Sequence, residues 1–254
     1  MSSTLLLKNA LVIATLDDEQ REIANGSVFI RGNRVEAVGP ASELPDTADK
    51  VIDMTGHVLI PGLINTHHHM FQSLTRALPA AQDAELFDWL TALFPVWQNI
   101  TPAMQRAATR TALAELMLSG CTTAADHAYL YVNGTRLDDS VQAAQEMGMR
   151  FHAVRGAMSL GQSKGGLPPD ALVEQDEDAI LKEMQRVVEE LHDATPDAMI
   201  KVALGPCSPF TVTTDLMREG AALARSCGVG LHTHTAENAK DLAFSKERYG
   251  MTPT

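Results

Sequence analysis

Three stretches of this chain repeat one order: a helix-opening residue, a helical run, a glycine, then at once a strand-like run. Thr101-Pro102 supplies an N-cap and a first-turn proline for a helix ending at Gly120. Asp138 or Asp139 opens a second, ending at Gly148, and Thr213 or Thr214 opens a third, ending at Gly228. Glycine ends a helix readily because it adopts the left-handed conformation without a Cβ clash. Strand runs follow at 121–125, 150–155 and 229–234, and 63–67 and 199–205 read the same way. Strands joined through helices make a parallel sheet, either open and doubly wound or closed into an eight-stranded barrel.

The ends of those strands separate the two. The apolar run 58–64 leads into Asn65-Thr66-His67-His68-His69, which is not the glycine-rich phosphate loop of an open nucleotide-binding sheet. A second cluster, His232-Thr233-His234-Thr235-Ala236-Glu237, closes the run 229–234, so five of the nine histidines end two nonadjacent strands. Barrels collect their chemistry at such strand ends. The expected fold is therefore α/β: a TIM-type (β/α)8 barrel, with residues 61–254 supplying strands 1–5. Ahead of it, residues 1–60 read as a small β-sandwich module. Its short strands at 5–13, 27–31, 34–38 and 50–60 are punctuated by Gly26, Gly32-Asn33, Gly39-Pro40 and Gly56.

A lone histidine is more often a hydrogen-bonded core or surface residue than a ligand. Two pairs spaced i,i+2 are different, because side chains on a strand alternate faces and each pair then points one way. Paired imidazoles with a carboxylate three residues beyond the last suit a zinc-type divalent ion beside a proton-transfer group. His68 has the opposite parity and reads as structural.

Composition sets the class. The chain has 254 residues, 45% of them hydrophobic, enough for a substantial core. A net charge of -12 without any Lys/Arg cluster argues against a nucleic-acid polymer as partner. The acidic run 174–178 reads as the solvated start of a helix, where carboxylates meet the positive dipole end. Cys121, Cys207 and Cys227, odd in number and far apart, suit a reducing cytoplasm, and no run is long and apolar enough for a membrane span.

Taken together, the small β module, Pro61-Gly62-Leu63-Ile64-Asn65-Thr66-His67-x-His69, Gly120-Cys121-Thr122-Thr123 and His234-x-x-Glu237 resemble the amidohydrolase superfamily, in its mononuclear-metal aminohydrolase branch. Within it, Gln72 with Leu74-Thr75-Arg76-Ala77, Leu86-Phe87-Asp88-Trp89-Leu90 and Arg155-Gly156-Ala157-Met158 look most like 8-oxoguanine deaminases and the neighbouring triazine hydrolases. The resemblance implies His67, His69 and His234 as ligands of one divalent ion, zinc first and iron(II) second, with Glu237 as proton shuttle. It implies a small heterocyclic substrate, 8-oxoguanine going to urate and ammonia. The alternatives are a triazine hydrolase, a deaminase of guanine or cytosine, and a catalytically silent metal-binding fragment. Gln72, Trp89 and Arg155 are the candidate substrate contacts, on a long insertion (70–97) and at the end of the third strand. A homo-oligomer is expected for a full-length protein.

Three departures matter. The two-metal branch carries a bridging lysine at the end of its fourth strand, whereas Lys201 begins that strand here, so one metal is expected. Guanine deaminases carry an Arg-Phe pair where this chain has Cys207-Ser208-Pro209-Phe210, which weakens plain guanine. Strand starts recur about every 41 residues, so three more strands need on the order of 120 residues, and 20 follow His234. The sequence thus reads as the front half of an enzyme, expected to be silent and aggregation-prone by itself. Asp241 and Glu247 are expected on a helix pointing away from the strand ends.

Overall fold

The computed structural model describes residues 2–254, which divide into two units between Leu63 and Ile64. In the first, β1 (Thr4–Ala14) is long enough to take partners on both edges. β2 (Glu22–Arg31) pairs with it antiparallel, and β3 (Arg34–Pro40) pairs antiparallel with β2 after a tight turn in which Gly32 takes a φ of 59°. β4 (Lys50–Asp53) and β5 (Val58–Leu59) lie parallel to β1, one after the other. Period-2 alternation buries Leu6, and a bulge between Leu7 and Ala10 shifts the register so that Ala10 and Ile13 are buried as well. These residues form one five-stranded sheet, in which β1 gathers β2, β4 and β5 along its own two edges.

In the second unit, β6 (Leu63–Asn65), β7 (Cys121–Ala128), β8 (Arg150–Ala157) and β9 (Ile200–Pro206) stand side by side in chain order, with β7, β8 and β9 parallel. Six helices accompany them: α1 (Leu86–Trp97), α2 (Pro102–Leu118), α3 (Leu137–Met147), α4 (Glu177–Leu191), α5 (Thr214–Cys227) and α6 (Ala239–Tyr249). The caps form as local chemistry requires. The Thr101 and Thr213 hydroxyls accept from the Met104 and Leu216 amides, and Gly148 and Gly228 stop α3 and α5 at φ 70° and 68°. On α4, which Asp176 caps within the acidic run, Ile180, Met184 and Val187 recur at helical spacing and are buried in one cluster with Ile200 and Val202 of β9. Each such side chain contributes about 1.5–3 kcal/mol by leaving water.

One expectation about this unit needs correction. The run 229–234 is not a strand: Leu231 alone bridges to Leu204 of β9, joined by the Leu204 amide to the Gly230 carbonyl and the His232 amide to the Leu204 carbonyl. Among the described residues it has a partner on one side only, so no continuous ladder forms. The insertion 70–97 forms two 3-10 turns and then α1, and its Phe71, Phe94 and Trp97 are buried in a cluster that also takes in Tyr129, Met158 and Phe210 from beyond the strand ends. Among the described residues, no helix is long and apolar enough to cross a membrane.

Candidate active site

β6 ends at Asn65, and the next residues run past the end of β7, where Asp126-His127 holds them at three points. The His127 amide donates to the His68 carbonyl (2.8 Å), the Met70 amide donates to Asp126 Oδ1 (2.9 Å), and His69 Nδ1 lies 2.7 Å from the His127 carbonyl. A carbonyl only accepts, so His69 Nδ1 carries the ring proton and Nε2 is bare. His234 repeats the arrangement, its Nδ1 2.7 Å from the Cys207 carbonyl. The two bare Nε2 atoms then face each other at 3.1 Å. Two lone pairs at that range repel unless a cation lies between them. Two nitrogens each about 2.0–2.1 Å from one tetrahedral ion would stand about 3.3 Å apart, close to the spacing seen.

His67 completes the group, the ligand atoms of His67, His69 and His234 all lying within 4.8 Å of one another. Burial lowers the pKa of all three, His69 to about 3 against an opposing contribution from the His127 carbonyl. All three are therefore neutral near pH 7, the form in which imidazole binds a metal. The donor set fits a zinc-type divalent ion. His68 is not in the group; its carbonyl is the acceptor for the His127 amide.

Beside these rings lies a cleft of about 170 Å³ lined by His67, His69, His234, Glu237, Gln72 and Trp89, with Tyr129 and Phe210 adding apolar wall. Burial raises the Glu237 carboxyl above its usual range, nearby Asp241 adds to the rise, and His67 opposes it. Asp241 corrects its expected orientation. It sits in the first turn of α6, fully buried, and its Oδ2 accepts the Glu237 amide at 3.0 Å while the Asn238 side chain accepts the Asp241 amide at 2.9 Å. The helix cap thus turns Asp241 inward and pins the backbone of Glu237.

The candidate substrate contacts divide. Gln72 lines the cleft, its Nε2 donating to the Tyr129 hydroxyl at 3.0 Å, and Trp89 lines it too, edge-on to Trp97. Arg155 does not reach it. At 1% exposure, its guanidinium lies 3.7 Å over the Tyr131 ring, pairs with Glu174 at 2.7 Å and donates to the Gly156 carbonyl. Its place in β8 turns a long side chain into the core, where a counter-ion and an aromatic face replace water. Residue patterns alone did not single out Asp126, His127 and Tyr129. The readable signal was their place at the end of β7, level with the first histidine cluster.

The profile described as the amidohydrolase family covers residues 58–254. The chain belongs to the amidohydrolase family. It is 42% identical over 247 residues to an 8-oxoguanine deaminase of Pseudomonas aeruginosa, covering 96% of this chain and 54% of that protein. It is 34% identical over 260 residues to an isoxanthopterin deaminase from an unknown prokaryotic organism, covering 98% of this chain and 53% of the relative. Among solved structures, an atrazine chlorohydrolase from Arthrobacter aurescens TC1 complexed with zinc superposes with a TM-score of 0.90 at 31% identity, over 98% of this chain and 56% of the other. This amidohydrolase chain spans about half the length of the relatives it matches, and its α/β architecture with a parallel sheet is TIM-like.

Proposed function

We propose that this chain carries the metal-binding and proton-transfer half of an aminohydrolase that hydrolytically deaminates a planar heterocycle, with 8-oxoguanine, converted to urate and ammonia, as the substrate. The observation that carries the reading is the pair of bare Nε2 atoms of His69 and His234, 3.1 Å apart, in one cleft with Glu237. His67, His69 and His234 would hold the ion, zinc or iron(II). When bound, a divalent ion supplies Lewis acidity and brings the ionisation of water toward neutral pH.

The chain's own residues do the remainder. The carbonyls of His127 and Cys207 keep the rings of His69 and His234 in the ligating tautomer. Glu237, its affinity for a proton raised by burial, takes a proton from attacking water and gives it to the ring nitrogen, then takes the proton of the added hydroxyl and gives it to the amine, which leaves as ammonia while the carbonyl forms. Gln72, tied to Tyr129 through its Nε2, has its carbonyl end available to accept from a ring N–H or amine. Trp89 and Phe210 give the cleft flat apolar surface for a heterocycle. The relatives named for 8-oxoguanine and isoxanthopterin support a fused bicyclic substrate with a lactam edge.

A second reading, hydrolysis of a substituted triazine, is favoured by the TM-score of 0.90 against the atrazine chlorohydrolase. One panel separates the two: the zinc-loaded, full-length enzyme offered purines, pterins, aminotriazines and chlorotriazines, with ammonia and chloride both measured. Faster ammonia release from 8-oxoguanine than from the others is the expected outcome. Chloride release exceeding ammonia release from any purine would overturn it in favour of the triazine reading.

A further inference from the structure

His127 is fully buried, and neither of its ring nitrogens has a hydrogen-bond partner; the Gly205 backbone lies alongside without hydrogen-bond geometry. An unsatisfied buried group of this kind costs about 1–3 kcal/mol, so the position is not explained by folding alone. The sheet also makes room for it. Gly156 and Gly205 face each other in register on β8 and β9, and a Cβ at either would stand 2.7 Å from His127 Cδ2 or 2.9 Å from its Nε2. Two glycines therefore admit an imidazole that is outside the cleft lining and makes no bond in return.

What the ring does approach is His234, 4.8 Å between centroids, and the free thiol of Cys207. The ligand atoms of His127, Cys207 and His234 lie within 4.8 Å of one another. We propose that these three residues form a second metal-ion site, selective for thiophilic ions such as cadmium(II) or mercury(II), which competes with the His67/His69/His234 centre for His234. The competition, though not the site, rests on the function proposed above. His234 Nδ1 is committed to the Cys207 carbonyl, which leaves Nε2 as the donor to either group, and one nitrogen holds one ion at a time. A thiolate with two imidazoles is a softer donor set than three imidazoles, so sulfur-seeking ions favour it. Binding replaces the thiol proton with the metal and releases that proton to solvent. A thiophilic ion so bound would draw His234 out of the first centre.

Cadmium titration of the metal-free full chain tests this through the sulfur-to-cadmium charge-transfer absorption in the ultraviolet. The band is expected in the native protein, lost in Cys207→Ser, and kept in Cys121→Ser, Cys227→Ser and His67→Ala. His127→Ala is expected to weaken cadmium binding by at least roughly 10- to 100-fold, the loss that removing even an outer partner of a metal ligand brings. X-ray absorption of the cadmium-bound native protein is expected to show sulfur and imidazole nitrogen around the metal, a readout that needs no variant to fold. A band that survives Cys207→Ser, unchanged affinity in His127→Ala, or an all-oxygen shell would overturn the site. Zinc loaded beforehand is expected to weaken cadmium binding in the native protein but not in His67→Ala. Zinc that binds yet leaves cadmium affinity unchanged would overturn the sharing of His234. A cadmium band with no zinc bound at all would support this site and count against the proposed catalytic centre instead.

Discussion

At the scale of single residues, the site depends on which nitrogen of each histidine carries its proton. The His127 and Cys207 carbonyls make that choice for His69 and His234, and burial keeps both rings neutral. His69→Ala and His234→Ala are each expected to lose most bound metal on elemental analysis, since either removes one of three protein ligands. Full retention in both would rule out this ligand set. Glu237→Gln keeps the shape but removes the group that exchanges protons. In the full-length enzyme it is expected to retain metal while the rate falls by about 10²-fold or more, read as ammonia release under saturating substrate. The i,i+2 spacing of His67 and His69 was legible in the sequence because alternation on an extended backbone is a local rule. The inward turn of Asp241 was not, since it follows from a capping exchange among Glu237, Asn238 and Asp241 that one helix start assembles in three dimensions.

At the scale of elements, buried and half-buried charges tie strands and helices together. Arg155 on β8 holds Glu174, just ahead of α4, and stacks on Tyr131 beyond β7. Arg155→Ala leaves Glu174 without its counter-ion and is expected to cost about 3 kcal/mol in chemical denaturation. A substrate contact would show instead as a raised KM at unchanged stability. Between α3 and α4, Arg186 pairs with Asp138, Glu183 and Glu190, and its guanidinium holds the Glu183 carboxyl below the usual 4.5. The unfolded chain binds that proton more tightly, so the stabilisation is whole above about pH 4.5 and fades as pH falls through the lowered folded-state value. Arg186→Met is expected to cost about 1 kcal/mol at neutral pH, the difference from the native protein shrinking in acid. A gap that is constant with pH would show that packing of the arginine stem, not charge, is responsible.

At the scale of the whole molecule, a metal held by residues after β6 and after β9 links parts of the fold distant in sequence, so binding and stability are coupled. Zinc at roughly 100 times its dissociation constant is expected to stabilise the second unit by about 2.7 kcal/mol, seen as a higher melting temperature that a chelator reverses. No shift in melting temperature would mean that zinc binds the unfolded chain equally well or not at all. Much of the architecture could be read from the chain: the starts of α2 and α5, the glycine stops of α3 and α5, the parallel series of β7, β8 and β9, and both histidine clusters. The caps, stops and paired histidines are set by contacts between residues a few positions apart, and the parallel series follows from the helix that joins each strand to the next. Only the tertiary structure decided that 229–234 bridges β9 at Leu231 without becoming a strand, that Arg155 turns into the core, and that His127 reaches His234 through the gap left by Gly156 and Gly205. Each of these depends on which side chain or edge stands opposite, and that is a property of packing between segments far apart in sequence.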